Sequence, residues 1–177
     1  KVTRIITRGT LIEQGMLFEK SNNFLLSISN DCDNKIAVAY ADISTGRFTV
    51  EEIQLKGLTS TIDKVNPVEI ICPDSLLSKK DILNNLDNYK SIIRAIPSSK
   101  FLQTSAEERL AKFFKVKFID SLGNLSKQAI EAAAAIVEYV SEAYKSDNIN
   151  LSFPKILNQS SHMYLDNFTR RSLELMV

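Results

Sequence analysis

The sharpest chemical signal in this sequence is an acidic residue placed just before a hydroxyl-rich turn. Asp42 ends an apolar run, and Ser44, Thr45 and Gly46 follow it. A carboxylate at a strand end beside hydroxyl groups can hold a divalent metal ion or orient a phosphate. The same side chains can instead hydrogen-bond the backbone amides of the turn. We favour this second, structural interpretation.

The catalytic interpretation requires further carboxylates close to Asp42. Two-metal nucleases of the RNase H-like class hold their ions about 4 Å apart between several acidic side chains. The acidic residues available on neighbouring predicted elements are Glu51, Glu69 and Asp120, and none lies in a recognisable pattern. A metal-dependent RNase H-like nuclease that uses Asp42 and Glu69 is the alternative function.

Other catalytic, cofactor-binding or metal-binding residues are not indicated. The sequence has no Gly-x-x-x-x-Gly-Lys-Ser/Thr loop and no Gly-x-Gly-x-x-Gly. His162 is the lone histidine and has no cysteine near it in sequence, so neither a zinc site nor a Ser-His-Asp triad is expected. Cys32 and Cys72 form no Cys-x-x-Cys pair, and Cys72, at the end of an apolar run, is expected to be a buried thiol.

Composition is that of an ordinary globular protein. The chain has 177 residues, 44% hydrophobic and 24% charged, with a net charge of +1. Without a basic excess, we expect the chain alone to bind nucleic acid weakly at best. The sequence shows no secretion leader and no run of 18 apolar residues, so a cytoplasmic location without a membrane span is expected. It lacks a starting methionine and closes within a predicted helix, and is expected to be part of a longer protein.

The candidate turn must be positioned by strands on both sides. Hydrophobic alternation predicts three antiparallel strands at about residues 24–29, 35–43 and 47–54. Helices and strands then alternate: a helix over 58–65, a strand over 68–72, a helix from a Ser78–Asp81 cap to Leu86, and a strand over 89–96. This order predicts an α/β fold with a mixed sheet.

Two amphipathic helices follow. The first opens on a predicted capping box, Thr104 to Glu107, and places Glu107, Glu108, Arg109 and Lys112 on its outward side. The second, over 126–145, carries a cluster of alanines that would let it lie close to a neighbour. A domain boundary is predicted near 148–152, followed by an extended segment, a short strand over 163–165 and a helix that begins at Asp166.

Four motifs, in order, resemble the bacterial MutS family of DNA mismatch-repair ATPases. They cover residues 2–10, 41–48, 66–71 and 163–175, and include Gly9, Asp42, Ser44, Thr45, Gly46, Asp166, Arg170 and Arg171. The last motif is the most specific. Arg8, Phe168 and Ser172 depart from the family pattern in ways that bear on local packing only.

The resemblance implies that residues 1–148 are similar to the MutS connector, an RNase H-like domain without a catalytic carboxylate set. Residues 149–177 would begin the helical core or lever domain. The mismatch-reading and ATPase domains are missing, so ATP, magnesium and mismatched duplex DNA belong to the parent protein, which is expected to be a homodimer. The fragment itself is expected to be no enzyme and to hold no cofactor.

The family's connector relays between the mismatch-binding and ATPase ends and helps to receive the repair protein MutL. As a physical hypothesis, the MutL surface is the charged helix face of Glu107, Glu108, Arg109 and Lys112, since charges of both signs suit a transient contact. A merely solvated face, or a structural spacer without a partner of its own, stays open beside it. For Arg170 and Arg171, a structural ion pair at a domain junction is favoured over DNA contact.

Overall fold

Three consecutive strands form the middle of the sheet. The computed structural model describes residues 23–29, 34–144 and 149–158. Strand β1 (Phe24–Ile28), β2 (Lys35–Asp42) and β3 (Arg47–Gln54) pair antiparallel in a meander. Their apolar alternation is the signal that predicts them, and the prediction is confirmed within one residue at each end.

Parallel strands extend the sheet on both sides. Strand β4 (Glu69–Pro73) pairs parallel with β1, and β5 (Ile93–Ile96) pairs parallel with β4. At the opposite edge, β6 (Lys155–Asn158) pairs parallel with β3, giving the order β5-β4-β1-β2-β3-β6. The predicted mixed sheet is therefore confirmed.

Helices cover both faces of this sheet. Helices α1 (Leu58–Val65) and α2 (Lys80–Leu86) enclose one apolar core, and α3 (Gln103–Phe114) and α4 (Lys127–Tyr144) enclose the other. The second core contains the alanines of β2 and α4, namely Ala37, Ala39, Ala41, Ala129, Ala132, Ala133, Ala134 and Ala135. Small side chains on both surfaces allow α4 to approach the sheet closely, as the alanine cluster predicts.

Both predicted capping boxes are wrong. Helix α3 begins at Gln103 with Leu102 at its N-cap, where the amide of Ala106 donates to the Leu102 carbonyl at 3.0 Å. The chain enters this helix directly from a 3-10 turn that buries Phe101, so tertiary packing fixes the start ahead of Thr104. Helix α2 likewise has Lys79 at its N-cap, with no side-chain cap.

Strand β5 is shorter than predicted. A 3-10 turn occupies 87–89 before it, and the Tyr89 hydroxyl there donates to the Asp63 carboxylate of α1. This contact removes Tyr89 from the strand that the sequence predicts over 89–96. The sheet edge is correspondingly short.

Residues 149–158 run beside β3, past the position of the predicted boundary. The Ser152 amide donates to the carbonyl of Gly46 at 2.8 Å, and β6 then joins the sheet. The predicted core or lever domain, residues 149–177, includes this segment; the remainder of that domain, after residue 158, lies outside the described residues, and the domain assignment stays a prediction. Cys32, His162, and the motif residues Gly9, Asp166, Arg170 and Arg171 lie outside the described residues, and their roles stay predictions. Within the described part of the chain, every helix is too short or too polar to cross a membrane.

Candidate functional site

The turn between β2 and β3 is organised by the side chain of Asp42. Its Oδ1 accepts hydrogen bonds from the Ser44 amide at 3.0 Å and from the Ser44 hydroxyl at 2.6 Å. The Asp42 carbonyl accepts from the Gly46 amide at 2.8 Å and from the Thr45 hydroxyl at 3.5 Å. Asp42 is buried, and Gly46 takes a φ of +74°. The carboxylate is thus engaged within its own turn, in the geometry of an Asx turn.

Asp42 and Glu69 point to opposite faces of the sheet. Ala41, Leu25 and Glu69 stand in one row across β2, β1 and β4, so their side chains share a face. Asp42 is the next residue along β2 and therefore faces the other way. The Glu69 Oε1 instead accepts from the hydroxyl of Tyr139 on α4 at 2.6 Å. The two carboxylates of the nuclease alternative do not converge, and the geometry contradicts that alternative.

The other acidic candidates do not complete a metal site around Asp42. Glu51 pairs with Val38 across β2 and β3, four residues back from Asp42, which is about 13 Å along the strand. Asp120 lies in a separate 3-10 turn after α3. In the described ranges, no three His, Cys, Asp or Glu side chains are grouped so that they could hold a metal ion.

A cluster that the sequence does not reveal joins α4 to the parallel edge of the sheet. Arg94 of β5 donates from its NH1 nitrogen to the Tyr139 hydroxyl at 2.7 Å and lies 3.6 Å from the Glu69 carboxylate. Its guanidinium also sits 5.8 Å from the Tyr139 ring centroid. The bond to Tyr139, more than the nearby Glu69 charge, raises the pKa of Arg94. These three residues are 25 to 70 positions apart in sequence, so no local pattern could find them.

The charged side of α3 divides into an outward part and an inward part. Glu108 and Lys112 are exposed, and Glu107 is half-buried. Arg109 turns inward: it donates to the carbonyls of Ser105 at 2.9 Å and of Lys100 at 2.7 Å. The expectation that all four charges face outward is therefore wrong for Arg109.

The inward part of that charged side is an ion-pair network between α3 and α4. Arg109 pairs with Glu138 of α4, and Lys100 lies 3.6 Å from the same carboxylate and also pairs with Glu142. Burial in this contact lowers the pKa of Arg109. The network fixes α3 against α4 and leaves only the outer side of α3 free for a partner.

The chain is similar in sequence to known proteins over most of its length. The sequence model of the family described as MutS domain II matches residues 23–154. The chain is 35% identical over 174 residues to the DNA mismatch repair protein MutS of Wolbachia pipientis wMel, covering 98% of this chain and 20% of that protein. It is 34% identical over 175 residues to the protein of the same name from Orientia tsutsugamushi strain Boryong, covering 99% and 20%.

A third relative gives the same result. The MutS protein of Rhodopseudomonas palustris strain HaA2 is 35% identical over 178 residues, covering 98% of this chain and 19% of that protein. The chain therefore spans about one fifth of the length of the relatives it matches.

Proposed function

The chain belongs to the MutS family of DNA mismatch-repair proteins, as its domain II, and we propose that it is a non-catalytic connector. In this proposal it transmits conformational change between the mismatch-binding and ATPase parts of a longer protein. A domain with this mechanical role must be rigid and must keep fixed attachments to the neighbouring parts of the protein.

The observation that carries this proposal is the use of both candidate carboxylates in structural contacts on opposite faces. Asp42 holds its turn, and Glu69 holds the hydroxyl of Tyr139 on α4. Side chains that would serve chemistry in an RNase H-like nuclease here have structural contacts, Asp42 within the turn between β2 and β3 and Glu69 with helix α4. A continuous sheet with helices packed on both faces is suited to carrying force from one edge to the other.

The second part of the proposal is that the outer side of α3 contributes to docking of a MutL-type repair protein. Glu107, Glu108 and Lys112 supply its charges, and Arg109 acts as a positioning residue through its ion pair with Glu138. Mixed charges on an exposed helix favour rapid, salt-sensitive association. A spacer without a partner of its own is the alternative that the docking test addresses.

The docking proposal is tested by charge reversal in the full-length protein. Glu108→Lys together with Lys112→Glu should weaken recruitment of MutL to mismatched DNA, because an unaltered partner then meets inverted charges. Glu52→Lys with Lys64→Glu is the matched control, since both residues are exposed and lie on β3 and α1 rather than on α3. If the charge-reversed variant recruits MutL as well as the control variant does, the docking proposal is rejected and the spacer alternative remains.

Mismatch binding, ATP hydrolysis with magnesium, homodimerisation and a cytoplasmic setting are proposed for the parent protein.

The proposal that this chain is non-catalytic is tested with the purified chain, manganese or magnesium, and labelled DNA. We expect no cleavage above a metal-free control. Cleavage that Asp42→Asn abolishes would overturn the connector proposal in favour of the nuclease.

A further inference from the structure

An exposed stripe of side chains runs along the outer side of α3. Thr104, Glu108 and Lys112 follow one another at four-residue spacing, and Lys115 continues the line past the helix end. All four are exposed. Within residues 23–29, 34–144 and 149–158, neither Glu108 nor Lys112 has an ion-pair partner. The stripe is acidic towards the start of the helix and basic towards its end.

Large apolar side chains are exposed at both ends of this stripe. Leu102, just before α3, is 57% exposed, and Phe118, four residues after the helix, is 63% exposed. The other exposed large apolar side chains in the described residues are Leu83 and Phe153. The outer side of α3 therefore carries Glu108 and Lys112 without ion-pair partners in the described ranges, with one exposed apolar residue before the helix and one after it.

This arrangement is self-complementary under a two-fold axis. When two α3 helices lie antiparallel with the axis level with residue 110, Glu108 of one copy stands level with Lys112 of the other, and the reverse pair forms at the same time. Successive residues rise 1.5 Å, so each charge lies about 3 Å along the helix from the axis.

We propose that the outer side of α3 is a homotypic contact surface, on which two copies of this chain pair through their α3 helices in antiparallel orientation. Charge complementarity selects the second copy, because an acidic half meets a basic half twice in one closed, isologous contact. Ala111, near the axis, is small enough to allow the 8–10 Å interaxial distance of packed helices.

This pairing goes beyond the proposed connector role and does not depend on it. It uses Glu108 and Lys112, which the docking proposal also uses, so a paired chain could not present that surface to MutL. A contact made by one helix from each copy is small, and a dissociation constant on the order of 100 μM to 1 mM is expected.

The test is a charge-reversal mixing experiment with the purified chain, read by sedimentation equilibrium up to about 1 mM protein. Glu108→Lys alone or Lys112→Glu alone places like charges opposite each other in a homodimer and should weaken association about tenfold. An equimolar mixture of the two variants restores opposite charges at both contacts, so it should regain wild-type association. The double variant, with both changes on one chain, should also regain it.

The double variant separates this inference from the docking proposal. Exchanging both charges preserves pairing between identical copies but inverts the surface that an unaltered MutL would meet. Restored self-association with lost recruitment supports both ideas, whereas restored self-association with normal recruitment removes docking alone. Glu52→Lys and Lys64→Glu, alone and mixed, are the controls and should leave self-association unchanged.

Three results would overturn the pairing. They are a monomeric wild-type chain at about 1 mM, single reversals that associate like the wild type, and a mixture that associates no more tightly than either variant alone.

A cross-linking measurement tests the antiparallel arrangement independently: Ala111→Cys in a Cys32→Ser background should form a disulfide-linked dimer under mild oxidation. Asp81→Cys on α2, in the same background, should not.

Discussion

Arg109 of α3 forms an ion pair with Glu138 of α4, although its neighbours Glu108 and Lys112 on the same helix are exposed. The same guanidinium donates to two backbone carbonyls, so its removal would leave several acceptors without their donor. One residue of a charged helix therefore fixes the helix in place, and the residues beside it remain available to a partner.

Arg109→Met should lower the free energy of unfolding by about 1–2 kcal/mol, because it leaves a partly buried carboxylate and two carbonyls without their shared donor. Lys112→Met, at an exposed position on the same helix, is the matched control and should change stability by less than about 0.5 kcal/mol. Urea unfolding of both variants followed by circular dichroism decides the question. Equal losses would mean that the Arg109 contacts do not fix α3.

Gly46→Ala should lower the free energy of unfolding by about 2 kcal/mol. A Cβ at this position would lie 2.8 Å from the Asn150 carbonyl oxygen, and the φ of +74° disfavours any side chain. Thr45→Ala, one residue earlier in the same turn, removes only a 3.5 Å contact and should be nearly neutral. Thermal unfolding midpoints should separate the two variants, and similar midpoints would contradict the close approach of Asn150 to the turn.

Two buried serines, two positions apart in the sequence, should respond differently to substitution by alanine. The Ser27 hydroxyl is buried without a hydrogen-bond partner in the described part of the chain, whereas Ser29 Oγ accepts from the Ala37 amide at 3.1 Å. Ser27→Ala should leave the free energy of unfolding unchanged or raise it by up to about 1 kcal/mol, and Ser29→Ala should lower it by about 1 kcal/mol. Chemical denaturation of the pair measures both. A larger loss of unfolding free energy for Ser27→Ala than for Ser29→Ala would contradict an unpartnered Ser27 hydroxyl.

The Cys72 thiol should resist alkylation in the folded protein. Burial, assisted by the nearby Asp74 charge, raises its pKa to about 11, so only about one molecule in a thousand carries a thiolate at pH 8. In a Cys32→Ser variant, iodoacetamide should therefore modify the protein only after denaturant is added. Mass spectrometry gives the modified fraction, and rapid labelling of the folded variant would disprove a closed core at β4.

Stability should fall at high pH in part through Tyr40. Burial raises the pKa of Tyr40 from 10.0 to about 12, and the nearby Glu51 charge contributes a smaller part of this shift. The folded state holds this proton more tightly than the unfolded state. Its contribution is therefore complete below pH 10 and is lost as the pH rises from about 10 to about 12, at up to about 1.4 kcal/mol per pH unit.

Tyr40→Phe isolates this contribution. The variant keeps the edge-on contact with Phe24, whose ring centroid lies 5.7 Å away, but has no proton to lose. Urea unfolding at pH 9, 10 and 11 should show a shallower decline for the variant than for the wild type. Parallel declines would show that Tyr40 titrates alike in the folded and unfolded chains.

Local patterns in the sequence determined the family and most of the elements. Alternation fixed the strands around Asp42, and helical spacing fixed α3 and α4, because side-chain period and backbone geometry are linked within a few residues. Four short motifs were enough to indicate MutS domain II, which the match over 23–154 confirmed. The starts of α2 and α3 were predicted wrongly, because burial of Phe101 and the preceding turns outweighed the capping signals in the sequence.

Only the tertiary structure decided what the charged residues do. Asp42 and Glu69 looked equally available in sequence, but strand register set them on opposite faces, and a shift of one residue would have reversed this. Arg109 could not be told from Lys112 until α4 brought Glu138 to it, and Arg94 met Tyr139 across 45 positions. Such pairings depend on how distant elements pack, and that information is spread over the whole chain rather than held in any one stretch of it.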